Sequence, residues 1–130
     1  NRPMMAAFMA LLKPRGLYFL DSKVSPKSVA YDAPRTAGIP AAYNSIFLDG
    51  THEPKGRRSK DPRVLAEAIA KDKAVCARYL RLAAGLARKN GHAIAIGHHY
   101  YHGTYECLMQ EAPKLQKEGF ELVFASALAR

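Results

Sequence analysis

Ala93-Ile94-Ala95-Ile96-Gly97-His98-His99 is the stretch that decides how this chain is read. A short apolar run stops on glycine and two histidines, and three other runs end in a comparable way. Leu17-Tyr18-Phe19-Leu20 runs into Asp21-Ser22, and Ile46-Phe47-Leu48 runs into Asp49-Gly50. Leu122-Val123-Phe124 belongs to a run that closes near Ser126. Helical stretches separate most of these runs, and that alternation predicts an α/β fold with parallel strands. In parallel sheets and barrels the loops beyond the C-terminal strand ends carry the chemistry. The pattern therefore gathers Asp21, Asp49, His98 and Ser126 at one mouth, as a site or the remains of one.

Working outward, Pro3 to Lys13 is expected as a short helix closed by Pro14-Arg15-Gly16, with a strand at Leu17–Leu20. Ser25-Pro26 has the form of an N-cap followed by proline, predicting a helix to about Thr36. Ala41 to Ser45 reads as an irregular entry into a strand at Ile46–Leu48. Thr51 to Lys60 is polar with Pro and Gly, an exposed loop. Asp61-Pro62 repeats the cap signal and opens a long helix ending near Asn90-Gly91. Its apolar side carries Leu65, Ile69, Val75, Cys76, Tyr79, Leu80, Ala83 and Leu86. Asp72 interrupts that side, which predicts a break or kink near Lys71-Asp72-Lys73. A strand at His92–Ile96, a helix at Thr104–Leu115 strained or interrupted at Pro113, and a last strand at Phe120–Phe124 complete the order.

The chain of 130 residues has the length of one domain and is 48% hydrophobic, which excludes a disordered polymer. No apolar stretch approaches the roughly 20 residues of a membrane span. Opening on Asn1-Arg2-Pro3-Met4-Met5 suggests a processed product or a fragment. Cys76 and Cys107, on helices among apolar neighbours, read as buried thiols. The net charge of +9 is unevenly placed: between Lys55 and Lys89 eleven Lys and Arg face only Asp61, Glu67 and Asp72. Such a zone is either solvated surface or the footprint of an acidic partner.

His98, His99 and His102 form the densest cluster of metal-ligand types. His98 and His102 are four apart, which places two imidazoles on one helical face where zinc can be held, with Asp21 or Asp49 as the third ligand. The plainer reading is a loop histidine bonded to backbone beside two exposed neighbours. Asp21 suits a general base, a metal ligand or an orienter of histidine, and equally a cap for the following helix. Asp49 before Gly50 suits the same roles or a turn. The sequence contains no G-x-S-x-G elbow, P-loop or G-x-G-x-x-G.

Five stretches in order carry a resemblance: Gly16-Leu-Tyr-Phe-Leu-Asp-Ser-Lys23 with Ser28-Val29-Ala30, Ile46-Phe-Leu-Asp49, Ala87-Arg-Lys-Asn-Gly91, Ala93-Ile-Ala-Ile-Gly-His98, and Phe120-Glu-Leu-Val123 with Ser126-Ala-Leu128. Together they resemble the C-terminal half of the divergent polysaccharide deacetylase family, over most of the chain apart from 51–75. The resemblance implies a distorted (β/α) barrel, with 1–130 a single domain forming its C-terminal half and 51–62 an exposed basic loop. It also implies a carbohydrate-directed hydrolase in which a divalent metal such as zinc, held by Asp and His, activates water against an acetyl group on a sugar. By matching position, Asp21 and His98 would be catalytic, while Ser22, Lys23 and Asp49 would meet the polysaccharide or oligosaccharide. The metal would fall to His98, with His102 added by spacing.

Departures from the family pattern are Lys23 for the usual Arg, His99 for the usual Pro, and a slightly longer loop from His98 to Thr104. The family's N-terminal half, with its paired aspartates and Asn-His-Met-Gly segment, has no counterpart. Half a barrel leaves two sheet edges for a partner or another copy to cover. Three functions follow. The chain is a piece of a periplasmic or exported deacetylase-like enzyme, or a periplasmic carbohydrate-binding remnant. Otherwise it is an inactive structural subunit of an organellar RNA-containing assembly, such as a mitochondrial ribosome. In that last case Arg57, Arg58, Lys60, Arg63, Arg78 and Arg81 would meet RNA phosphates or an acidic protein surface.

Overall fold

The computed structural model describes residues 1–25, 27–30, 32–49 and 56–130. Pro26 of the expected cap, Gly50 and residues 51–55 of the expected basic loop lie outside the described residues. The chain divides into two compact units, residues 1–44 with 123–130, and residues 45–122. Each contains a strand, a helix and a second strand parallel to the first.

In the first unit, α1 (Arg2–Leu12) starts because the Asn1 side chain accepts a hydrogen bond from the Met4 N–H and Pro3 sits in the first turn. A 3₁₀ turn at Lys13–Arg15 ends in Gly16 at φ 63°, a left-handed position suited to glycine. β1 (Phe19–Asp21), α2 (Asp32–Ala37) and β2 (Ala41–Tyr43) follow. Phe19, Leu20 and Asp21 pair in parallel with Ala41, Ala42 and Tyr43. Met9, Ile39 and Ala42 are buried here, and the Phe8 and Phe19 rings meet edge to face at 6.4 Å.

Two expectations change in this unit. Ala41–Tyr43 is a strand rather than an irregular entry, because its outer side is also satisfied: Ala41 and Arg130 exchange backbone hydrogen bonds of 3.0 and 3.1 Å. The helix expected from Ser25 begins only at Asp32. The Ser25 hydroxyl accepts from the Lys27 N–H at 3.2 Å, so it closes a turn instead.

In the second unit β3 (Ile46–Phe47), α3 (Pro62–Asn90), β4 (Ala95–Ile96) and α4 (His102–Lys117) follow in order. Ile46 pairs with Ala95 and Phe47 with Ile96, again in parallel. Leu48, Cys76 and Cys107 form the buried centre, flanked by Tyr79, Leu80 and Leu108. α3 begins where Asp61 accepts from the Arg63 N–H and stops at Gly91, φ 82°. α3 and α4 lie side by side in the same direction, as their ion pairs show in sequence order: Lys73 with Glu106, Arg81 with Glu111 and Glu118, Arg88 with Glu118. Gly103 permits the contact, since a Cβ there would sit 2.8 Å from the Lys73 nitrogen and against the Ile69 carbonyl.

Three expectations are corrected in the second unit. α3 runs for 29 residues with no break at Lys71-Asp72-Lys73. Asp72 is buried without disturbing the helix because Arg57 neutralises it (next section). α4 continues through Pro113 to Lys117. Pro113 and Met109 are both exposed, so the Met109 carbonyl that loses its helical donor faces solvent. Residues 120–124 form no strand. The Phe120 N–H closes α4 by bonding the Leu115 carbonyl at 3.0 Å, and the Arg88 guanidinium lies over the Phe120 ring at 4.6 Å. Leu122, Val123 and Phe124 are exposed, so strand propensity lacks the neighbouring edge it needs.

The parallel strands alternating with helices make this an α/β protein. Among the described residues no helix is long and apolar enough to cross a membrane. Replacing Pro113 by Ala restores a helical donor and is expected to stabilise the fold by up to about 3 kcal/mol, read as a higher midpoint in urea. An unchanged midpoint would show that α4 bends around Pro113 at no cost.

Candidate functional site

Asp49 lies two residues beyond β3 and is 6% exposed. A buried carboxylate must be met by donors or it is strongly destabilising. Asp49 meets three: the His98 N–H at 2.9 Å, the His98 Nδ1 at 2.5 Å, and the Thr104 hydroxyl at 2.5 Å. One Asp49 oxygen takes both His98 contacts and the other takes Thr104. Because Nδ1 faces a carboxylate, the neutral imidazole carries its proton there and presents Nε2 as a base. The His98 side chain is 43% exposed, so that nitrogen belongs to an accessible ring.

The chain around this dyad is shaped to fit it. A Cβ on Gly97 would lie 2.9 Å from the Thr104 methyl and 3.4 Å from Leu48, so only glycine lets the strand end approach α4. Thr104 is 1% exposed, and its carbonyl accepts from the Cys76 thiol at 3.9 Å. Burial pushes the Cys76 and Cys107 thiols upward from their ordinary range, so both stay protonated. That agrees with the expectation of buried thiols.

A buried ion pair lies close by in the chain. Arg57 grips Asp72 through two hydrogen bonds of 2.7 and 2.6 Å, with the side chains 8% and 3% exposed. Its guanidinium also stacks on the Tyr101 ring at 3.4 Å. Arg57 thereby ties the segment after Asp49 to α3 and to the loop after His98.

Asp21, Ser22 and Lys23 belong to the first unit. Asp21 is buried, accepting from the Lys23 N–H at 2.9 Å and the Ser28 hydroxyl at 3.3 Å. Lys23 has φ 54°, a strained position for a non-glycine residue, and its ammonium lies 4.6 Å over the Tyr43 ring. Ser22 is exposed, and Ser126 lies exposed on a closing 3₁₀ turn, Ala125–Leu128, in the same unit.

The basic face of α3 is less open than its charge suggests. Arg81 is paired with Glu111 and Glu118, Arg88 with Glu118, Lys71 with Glu67, and Lys73 with Glu106. Hydrogen bonds from Arg81 hold the Glu118 carboxyl below the usual range. Arg58, Lys60, Arg63 and Arg78 are exposed, and Arg78 lies 5.9 Å from the Tyr79 ring centre. Arg57, by contrast, is largely withdrawn from solvent.

Both Asp49 oxygens are occupied by protein donors, and among the described residues no three His, Cys, Asp or Glu side chains form a group able to hold an ion. His102 opens α4 as an exposed residue and joins no such group.

The sequence model described as divergent polysaccharide deacetylase matches residues 1–76 and 58–129. The chain belongs to this family. No curated protein matches it. The two matched stretches overlap at 58–76, and so they also cover the stretch 51–75 that the resemblance left out. The deacetylase family match thus spans both units, including Asp21, Asp49 and His98.

Reading the sequence alone missed Thr104, the Arg57–Asp72 pair and the role of Tyr101. Thr104 stood at an expected helix start, where threonine reads as a cap rather than as a donor to a distant carboxylate. Thr104→Val should cost about 1–3 kcal/mol by leaving an Asp49 oxygen unpaired, while Thr104→Ser should restore most of that stability. Asp72→Ala should cost about 3–5 kcal/mol by stranding a buried guanidinium. Chemical denaturation checks both, and a loss under 0.5 kcal/mol in either would contradict the buried network.

Proposed function

We propose that this chain is part of a carbohydrate-directed hydrolase of the deacetylase type, with His98 as general base and acid. Support comes from family membership and, above all, from one observation: the buried Asp49 carboxylate holds His98 by ring and backbone together. In the proposed reaction Asp49 fixes the ring and its tautomer, and Nε2 takes a proton from the attacking water. The imidazolium, steadied by Asp49, then returns that proton to the leaving sugar oxygen or nitrogen. Thr104 fixes Asp49 in turn. Family membership alone carries the further proposal that Ser22 and Lys23, in the first unit, contact a sugar and that Asp21 serves there as an acid or base.

Release of acetate from an acetylated oligosaccharide tests the proposal. His98→Ala should lower the rate about 10²–10⁴-fold, the usual span for a lost acid–base group. Asp49→Asn should also lower it, with a smaller effect on binding than on turnover. Turnover indifferent to His98→Ala would exclude the mechanism.

A structural role in an RNA-containing assembly is the second reading, and the exposed Lys60, Arg63 and Arg78 favour it. Retention on RNA that falls steeply with salt, and that weakens when these three are made neutral, is the expected sign.

A further inference from the structure

α1 is the least covered helix of the first unit. From Pro3 to Leu12 every side chain is apolar, yet only Met9 is buried. Met4, Phe8 and Leu11 follow at spacings of four and three, so they share one face of the helix, and they are 66%, 43% and 59% exposed. Ala7 beside them is exposed as well, and no polar side chain interrupts the stripe. Arg15 continues it by donating to the Leu11 carbonyl. A helix that is apolar all round requires cover. With 11 residues α1 is about 17 Å long, against the roughly 30 Å of a bilayer's hydrocarbon core, so it is too short to cross a membrane. Lying along one needs no such length.

Charge decides between possible covers. The first unit carries seven Lys and Arg against Asp21 and Asp32. Asp21 is buried, and Asp32 already pairs with Arg35 at 3.8 Å. The first 20 residues hold Arg2, Lys13 and Arg15 and no acid. Lys13 donates to the Ala37 carbonyl at 2.8 Å and Arg15 to that of Leu11, neutral acceptors that leave both charges in place. Among the described residues no carboxylate pairs with any of these three cations. A second copy of this face would set like charge against like. Anionic headgroups above acyl chains offer both the negative charge and the apolar bed.

We propose that α1 is an interfacial anchor that lies on an anionic phospholipid surface, with Met4, Phe8 and Leu11 among the acyl chains and Arg15 at the headgroup phosphates. Such anchoring does not depend on the hydrolase reading, since it holds an active or an inactive chain alike.

Flotation of the full chain with vesicles tests the anchor, using phosphatidylcholine alone and equal parts phosphatidylcholine and phosphatidylglycerol. Partition should be about tenfold stronger on the anionic vesicles and should weaken with salt. Met4→Gln combined with Leu11→Gln should lower it about tenfold, and Arg15→Gln about fivefold, with unchanged circular dichroism. Equal partition on both vesicles, partition on neither, or anionic partition indifferent to the Met4 and Leu11 changes overturns the anchor. A sedimentation dimer that dissociates in the double variant, without vesicle binding, assigns the stripe to a second copy and overturns it too.

Discussion

The buried Asp49 carboxylate is the constraint around which the second unit is organised. A charge withdrawn from water needs donors on every side, and Asp49 draws them from two other elements. His98 arrives from the end of β4 and Thr104 from the first turn of α4. Gly97 and Gly103 are small for the same reason, one to let Thr104 in and the other to let α4 lie against α3. An acid placed at a strand end thus sets where the next strand stops, where the next helix starts, and how closely that helix packs.

Arg57 and Asp72 extend the same logic along the chain. The acid that looks like a flaw on the apolar side of α3 is a receptor for an arginine from the preceding segment. The aromatic ring of Tyr101 covers that arginine in turn. Much of the positive charge of α3 is likewise answered by the acids of α4, at Glu106, Glu111 and Glu118. The concentration of charge in sequence is therefore partly an internal matching of two helices.

The elements most readable from sequence were those with local signals. Asp61-Pro62 and Gly91 bracket α3, and the apolar period between them is helical throughout. The strand ends at Asp49 and His98 were legible because an apolar run meeting a polar residue is visible without a partner. β2 was not legible, since Ala41-Ala42-Tyr43 has little pattern and becomes a strand through β1 and Arg130. Phe120–Phe124 failed in the opposite sense, having strand residues without an edge to join. Thr104 and Arg57 act across 55 and 15 residues of chain, respectively, and no spacing rule reaches that far.

The loop from His99 to His102 hangs between two fixed points. His98 is pinned to Asp49 on one side, and Gly103 is pressed on the α3 backbone on the other. Between these anchors Tyr101 is held under Arg57, whereas His99 and Tyr100 are exposed and can be exchanged without moving either one. Under the proposed function, variation at those two positions would diversify what is recognised beside His98 while leaving its bond to Asp49 intact. Recognition and reactivity could drift at separate rates in one small domain.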